Sequence, residues 1–592
     1  MSGPYAPIRD HAVIGDGRTV ALVTRSGSID WLCLPDLDSP SVFGALLDAR
    51  RGGIFELAPD GPYQASRRYL PGTNVLETTF TTASGVVKVT DAMTLPGAAL
   101  SPAREVARRV EALAGTVGMR WCVEPRFGYG LSATRVEART PFPVATSAGG
   151  AVAVCTWDAG SGYCDDRSMG GHFHLREGQR ALLVLASAHG EPLVFPARSD
   201  VEARLDATAS FWRQWSDRLQ YEGRWREAVV RSALALKLLV FAPSGAIAAA
   251  PTTSLPEAIG GERNWDYRFC WIRDSSFTLE ALLQLGCVAE ANAFFWWFMH
   301  ATRRTHPRLQ VFYRLDGGIY APERELPLDG YRQSRPVRVG NGAADQLQLD
   351  TFGDLLDTAL GYVERGGVID RATGAELAHV ADFVCDVWRR PDRSIWEVRM
   401  EPKHFTHSKA MCWVALDRAG RLAEAAHLPA RHLARWRREA ATIRDFIESH
   451  CWSAAKQTYV RYAGSEELDA SLLLLVIARY HDPRDPRLLS TIDAVRRELG
   501  RGPLLYRYVG ADGVRGGEGV FLCCSFWLVE ALAVAGRREE ASRLLEELLA
   551  LADDVGLYAE EIDPETGEFL GNFPQALVHL ALISAAVALA GR

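Results

Sequence analysis

The segment Arg263-Asn264-Trp265-Asp266-Tyr267-Arg268-Phe269-Cys270-Trp271-Ile272-Arg273-Asp274 packs three arginines, two acids and four aromatic rings into twelve residues, then runs into an apolar, helix-like stretch from Ser275 to Leu285. A core strand would not carry so many charges, and a solvated loop would not carry so many large rings. Two readings fit this composition. Flat rings beside charge-assisted hydrogen-bond partners suit a sugar, whose apolar C–H faces stack on Trp or Tyr while Asp and Arg hold its hydroxyls. A buried salt-bridge cluster under a domain interface would use the same residue types.

Outward from this segment, the chain divides by the period of its apolar residues. Before Asp200, short alternating or apolar runs recur at Thr19–Thr24, Ser28–Leu34, Gly53–Leu57, Val75–Thr82, Gly85–Ala92, Val117–Glu124, Ala151–Thr156 and Arg180–Ala186. Turn residues punctuate them, as at Asp16-Gly17 and Pro59-Asp60-Gly61, which is the pattern of an antiparallel β-sandwich. A Trp-rich amphipathic stretch, 201–220, reads as a linker helix. After Gly223 about twelve segments carry apolar residues at helical spacing: 225–241, 272–287, 289–303, 343–364, 372–390, 404–419, 430–450, 467–480, 486–499, 518–535, 537–551 and 572–590. No fixed repeat accompanies them, so a closed array fits better than a solenoid. The expectation is a multidomain β + α chain: a β-sandwich domain over 1–200, a linker over 201–223, and an (α/α)6 toroid over 224–592. Long connections would gather at one mouth of the ring, with Arg263–Asp274 in one of them.

Composition narrows the function. Of 592 residues, 48% are hydrophobic and 23% charged, as in a soluble globular protein, and the net charge of −7 argues against nucleic acid or an anionic membrane as partner. No run approaches the roughly 20 apolar residues of a membrane span. The first ten residues lack the pattern of a secretory signal, and the eleven scattered cysteines read as reduced small hydrophobes, so the expected compartment is the cytoplasm. No Gly-x-Ser-x-Gly elbow, phosphate-binding loop or Asp-rich cyclase cluster is present. His404 and His407 stand three residues apart without a third metal ligand nearby, and capping or sugar hydrogen bonding accounts for them.

Two carboxylate stretches lie in the long connections. In Ser394-Ile395-Trp396-Glu397-Val398-Arg399 an acid sits among apolar neighbours, which would keep it protonated near neutral pH and fit it for general acid work; a Glu paired with Arg399 is the alternative. Tyr558-Ala559-Glu560-Glu561-Ile562-Asp563 is either a solvated acidic loop or, with Asn572-Phe573-Pro574-Gln575 after it, a loop folded onto something. Two carboxylates facing each other across the mouth are what glycoside hydrolysis needs.

Several motifs together resemble glycoside hydrolase family 15, the glucoamylase and trehalase group, and most closely its bacterial two-domain members. Tyr5-Ala6-Pro7-Ile8, Gly27-Ser28-Ile29-Asp30-Trp31-Leu32-Cys33 and Asp38-Ser39-Pro40-Ser41-Val42-Phe43 look like the β-sandwich of those proteins. Pro251–Glu257, Arg263–Asp274, Arg335–Ala344 and His404–Leu416 look like the toroid. The resemblance implies an inverting exo-acting α-glucoside hydrolase that releases β-glucose from trehalose or short α-glucan oligosaccharides. It makes Glu397 the general acid and Glu560 the general base. Trp271, Arg273 and Asp274 match the Trp-x-Arg-Asp segment that grips the terminal glucose, Trp396 joins them, and Arg507 in Tyr506-Arg507-Tyr508 matches a sugar-binding arginine. This chemistry requires no metal or organic cofactor, and the implied partner is a small carbohydrate. Fungal glucoamylases follow the acid with a second Glu that helps bind the next sugar; Val398 and Arg399 stand here instead, so the leaving-group site is expected to differ from that of a starch enzyme. A non-catalytic carbohydrate-binding protein on the same fold is the competing reading, which two retained acids disfavour.

Overall fold

The computed structural model describes residues 5–95, 104–160 and 162–591. Antiparallel strands fill the chain from His11 to Ala188 and form two sheets that share one long strand, Glu105–Glu124. The first half of that strand pairs with Gly85–Met93 on one side and Arg180–Ala188 on the other. Its second half pairs with Ile54–Pro59 and Met169–Arg176. The strand passes from one sheet to the other at Gly115, whose φ is +66°, and a Cβ there would lie 2.2 Å from the Ser84 carbonyl oxygen.

Sequence periodicity places this strand only at Val117–Glu124 because Glu105, Arg108, Arg109 and Glu111 interrupt the apolar pattern before it. Tertiary partners absorb two of those charges. Arg108 is fully buried and donates to Asp91 at 2.8 Å and to the Gly27 carbonyl at 2.7 Å, while Glu105 accepts from Arg204 and Thr94, each at 2.8 Å. His11–Gly15, Tyr63–Tyr69 and Met169–Arg176 are further strands outside the expected set. Tyr63–Tyr69 carries mostly polar residues because it pairs with only one neighbour and keeps much of its surface in solvent.

Thirteen α-helices follow: α1 (Arg198–Ser216), α2 (Arg226–Leu239), α3 (Asp274–Gln284), α4 (Val288–Arg303), α5 (Asp350–Glu364), α6 (Arg371–Val387), α7 (Thr406–Glu424), α8 (Leu433–His450), α9 (Leu474–Ile477), α10 (Pro486–Leu499), α11 (Leu522–Val534), α12 (Arg538–Leu549) and α13 (Ala576–Ala590). The linker helix expected over 201–220 is α1, a few residues earlier. The odd-numbered helices α3 to α13 pack in sequence around a ring, which closes where α13 meets α3; the even-numbered ones pack outside them. Burial follows this layout. In α12 only Ala541, Leu544, Leu545 and Leu548 are buried, the single stripe of an outer helix, whereas α11 and α13 are buried on nearly every face. Among the described residues no helix is long and apolar enough to cross a membrane, although α13 has no Asp, Glu, Lys or Arg in its fifteen residues. All eleven cysteines are free.

Each outer helix reaches the next inner one by a long connection, and each inner helix returns to the outer layer by a shorter one. The long connections therefore collect at the N-terminal ends of the inner helices. The sandwich braces that end of the ring: the Trp31 indole donates to the Pro251 carbonyl at 2.9 Å, and buried Arg67 holds Asp554 at 2.7 Å.

Candidate active site

The Arg263–Asp274 segment forms the buried salt-bridge cluster that one of its sequence readings expects, and other residues of it lie at the mouth. Short strands hold it in place, Asn264–Asp266 against Thr253–Pro256 and Cys270–Trp271 against Phe312–Tyr313. Arg268 belongs to the domain interface: it grips Asp266 through two 2.8 Å bonds and donates to the Ser39 carbonyl of the sandwich at 2.8 Å. Arg263 and Arg273 serve the mouth. Trp271 packs with Phe312 and Tyr267, ring centroids 4.8 and 5.2 Å away, which fixes the direction of its indole N–H.

That N–H points at Glu397. Trp271 Nε1 donates to Glu397 Oε1 at 2.6 Å, and Arg273 Nη1 lies 3.6 Å from the same oxygen while donating to the Ile395 carbonyl at 2.7 Å. Burial pushes the Glu397 carboxyl above its ordinary range, against the pull of Arg273 and the Trp271 hydrogen bond. The backbone at Glu397 is left-handed, with φ +57°, a conformation that costs a β-carbon residue about 1 kcal/mol or more and that the surrounding packing must enforce. The alternative of a Glu paired with Arg399 is not what forms; Arg399 turns to Glu323 at 3.3 Å.

Glu560 lies on a buried loop rather than a solvated one. It leads into a three-stranded sheet of Val520–Phe521, Glu561–Ile562 and Phe569–Leu570. Its Oε2 accepts the Asn572 amide at 3.1 Å, and Oε1 has no partner in hydrogen-bonding geometry. A Cβ at residue 571 would stand 2.5 Å from Glu560 Oε2, so Gly571 leaves the room in which this carboxylate lies. Burial raises the Glu560 carboxyl while the Tyr267 hydroxyl, the Asn572 amide, Arg507 and Arg273 oppose the shift. The carboxylates of Glu560 and Glu397 both act on the Tyr267 hydroxyl, which ties the two acids to one neighbourhood.

Trp396, Glu397 and Arg507 line a small hollow at the mouth together with Tyr267, Trp265 and Arg399; Trp271 and Arg273 reach it through their contacts with Glu397. The Trp396 indole donates to both oxygens of Asp469, at 2.9 and 3.0 Å. Arg507 is buried and paired with Glu257 at 3.1 Å and with Glu518. Asp274 stands behind Arg273, accepting from its Nε at 2.9 Å, with Oδ2 unpartnered. The hollow has a volume of about 50 Å³. A roomier hollow of about 450 Å³ lies beyond Arg273 among α3, α5 and α7, but neither acid lines it.

Glu257, Glu518 and Glu561 bring carboxylate oxygens within 4.8 Å of one another, a set that could attract a cation. Arg507 lies 3.8 Å from Glu561, and Arg263 lies 3.3 Å from Glu518, so guanidinium groups already supply positive charge there. His407 is buried and held neutral, its pKa lowered to about 3 by desolvation and Arg273. Glu257, Asp469 and Asp512 escaped the sequence reading because their partners at the mouth, Arg507, Trp396 and Arg263, stand 250, 73 and 249 residues away along the chain. For Glu257 the signal was its place at the end of Pro251–Glu257.

Comparison with known proteins places these features in a family. The model of "Glycosyl hydrolases family 15" matches residues 223–587, and "Trehalase-like, N-terminal" matches 2–145. The chain is 40% identical to a trehalase of Mycolicibacterium smegmatis over 99% of its length and 92% of that protein. It is 29% identical to an isomaltose glucohydrolase of Kribbella flavida over 54% of its length and 78% of that protein. A bacterial glucoamylase crystallised with acarbose superposes on it with a TM-score of 0.71 at 14% identity, covering 100% of this chain and 95% of that one, which shows the shared sandwich-plus-toroid fold.

Proposed function

Since the chain belongs to glycosyl hydrolase family 15 and is a glycoside hydrolase, we propose that it is an inverting exo-acting α-glucosidase whose preferred substrate is trehalose, with short α-glucan oligosaccharides as the broader class. The observation that carries the catalytic reading is the pair of buried acids on separate connections. Glu397 is aimed by Trp271 and Arg273, and Glu560 has an unpaired Oε1. Trehalose is favoured because the relative that is 40% identical over nearly its full length is a trehalase.

In this reading Glu397, whose protonated form burial favours, gives its proton to the glycosidic oxygen as the bond to the anomeric carbon breaks. Glu560 takes a proton from a water that attacks that carbon from the opposite face, through the oxygen its backbone contacts leave free. Tyr267 orients the base side. Trp271, Arg273, Asp274, Trp396 and Arg507 hold the terminal glucose, with Asp274 offering Oδ2 to a hydroxyl. The residues of the ring, 224–592, do the chemistry; the sandwich, 1–200, and linker, 201–223, brace it. The free cysteines fit a reducing, cytoplasmic setting.

The test is a kinetic screen on trehalose, maltose, isomaltose and soluble starch, with the first product followed by proton NMR. Trehalose should give the highest kcat/KM and β-glucose should appear before mutarotation. Trehalose releases its leaving ring as α-glucose in either case, so inversion gives equal α- and β-glucose at first; α-glucose alone would mean retention and would remove Glu560 as the activator of water.

A further inference from the structure

The Gly27–Cys33 motif of the sandwich has no part in the chemistry above, yet three hydrogen bonds carry it to the base. Trp31 lies in the strand Ile29–Cys33 and is fully buried. Its indole N–H leaves the sandwich and donates to the Pro251 carbonyl at 2.9 Å. Pro251 belongs to a buried segment, 249–252, on which both neighbours of the Glu560 carboxyl rest. On one side the Ala250 amide donates at 2.9 Å to the carbonyl of Tyr267, whose hydroxyl acts on Glu560. On the other side the Thr252 hydroxyl donates to Asn572 Oδ1 at 2.9 Å and accepts the Phe573 amide at 3.1 Å. The Ala576 amide closes that side, donating to the Ala249 carbonyl at 2.8 Å.

Asn572 is the last link. Its backbone amide is the one that Glu560 Oε2 accepts, and the Glu560 amide donates back to the Asn572 carbonyl at 3.0 Å. With Oε2 pinned in this way, Oε1 is the oxygen free to meet a water. Asn572 has little freedom of its own, because Nδ2 donates to the Trp265 carbonyl at 3.0 Å while Oδ1 takes the Thr252 hydroxyl. Trp31, Pro251, Thr252 and Asn572 are all buried, so solvent does not replace a bond that one of them loses.

The sandwich meets the base side elsewhere too. Arg67 holds Asp554 on the loop that leads to Glu560, and the Arg9 guanidinium lies 4.4 Å from the ring centroid of Phe569, in the strand paired with Glu561–Ile562. The acid has no such support. Among the described residues no hydrogen bond or ion pair joins the sandwich to the acid's connection, 391–405. That connection is fastened within the ring: the Arg393 amide donates to the Leu347 carbonyl at 3.1 Å, the Arg399 amide to the Asp512 carbonyl at 2.7 Å, and Trp396 to Asp469. We infer that Trp31 is a positioning residue for Glu560, so that docking of the sandwich sets the base while the ring alone sets the acid. The inference rests on Glu560 being the base.

The experiment uses Trp31→Phe, which removes the N–H and keeps an aromatic ring in the strand, Thr252→Val, which removes the hydroxyl at nearly constant shape, and Thr252→Ser, which keeps it. Each is assayed on α-glucosyl fluoride and on the disaccharide that the wild type cleaves fastest. The attacking water is common to both substrates, so kcat should fall on both together, by about tenfold or more, in Trp31→Phe and Thr252→Val, with KM nearly unchanged. Thr252→Ser should stay near the wild type. The Asn572 amide holds the Glu560 carboxyl down against burial, so loosening it lets the base keep its proton to higher pH. The acid limb of the pH–rate profile should therefore move up while the alkaline limb stays. Tyr267, Arg507, Arg273, Glu257 and Glu561 also face this carboxyl and are unaltered in these variants. Wild-type kcat on both substrates in folded Trp31→Phe, a loss confined to the disaccharide, or a shift of the alkaline limb instead would overturn the inference. If Trp31→Phe does not fold, 3-benzothienylalanine at residue 31, which puts sulfur in place of the N–H in a ring of the same shape, gives the same readout. Failure of the underlying reading shows separately, as fluoride hydrolysis retained in Glu560→Gln whatever the Trp31 variants do.

Discussion

Replacing Trp271 with Phe removes a single N–H from the Glu397 carboxyl and leaves Arg273 in place. The bond is short, 2.6 Å, and the Glu397 side chain is only 19% exposed, so solvent replaces little of what is lost. A hydrogen bond to a charged group contributes about 1.5–3 kcal/mol, and about 1.4 kcal/mol corresponds to one pH unit of titration. The indole N–H stabilises the carboxylate more than the carboxylic acid, so its loss makes Glu397 hold its proton to higher pH. The alkaline limb of the kcat/KM profile, where the general acid is lost, should therefore move up by about one unit. The acid limb, set by protonation of Glu560, should stay where it is. The plateau should fall as well, because the carboxyl loses one of the two groups that aim it. The assay is a pH–rate profile on a disaccharide between pH 4 and 9, with a thermal melt as control. The smaller ring leaves space against Phe312 and Tyr267 and should cost stability by about 1–3 kcal/mol without unfolding the protein. An alkaline limb that does not move, or moves down, would refute the assignment of Glu397 as the acid tuned by Trp271.

Two further outcomes follow from the same geometry. Glu397→Gln should nearly abolish disaccharide cleavage yet spare α-glucosyl fluoride, whose leaving group needs no such protonation, whereas Glu560→Gln should impair both and Glu561→Gln should be much milder; equal sensitivity of both substrates in Glu397→Gln would count against its role. At Asp512 burial raises the carboxyl, but the Arg263 hydrogen bonds outweigh it and hold the pKa down at about 2. A depressed pKa contributes stability that is complete above the ordinary carboxylate value and is lost as pH falls through about 2. Asp512→Asn should thus melt below the wild type by the same margin at pH 7 and pH 5, and trypsin should cut it faster at exposed Arg515; a margin that shrinks at pH 5 would contradict the tie.

The sequence by itself determined the two periods, and with them the sandwich, the ring of twelve helical segments and the gathering of long connections at one mouth. It also singled out the segments that hold the acids, because rings beside charges have few uses in a core. It placed the outer helices well. At the inner helices it ran too far toward the N-terminus every time: 272 against Asp274, 343 against Asp350, 404 against Thr406, 467 against Leu474, 518 against Leu522 and 572 against Ala576. The physical reason is the same in each case. Just before each inner helix stands a buried apolar residue, Ile272, Leu349, Phe405, Leu473, Phe521 or Phe573, which extends the helical pattern but is buried in the walls of the mouth. Periodicity registers burial and cannot tell which neighbour supplies it. The long strand Glu105–Glu124 failed in the opposite sense, its charges hiding a buried element until Asp91, Arg204 and Thr94 came to pair them. Only the tertiary structure could decide that Trp271 and Arg273 aim Glu397, that Gly571 makes room for Glu560, and that Arg399 turns away from the acid to Glu323, because each of these depends on groups that the chain keeps far apart until it folds.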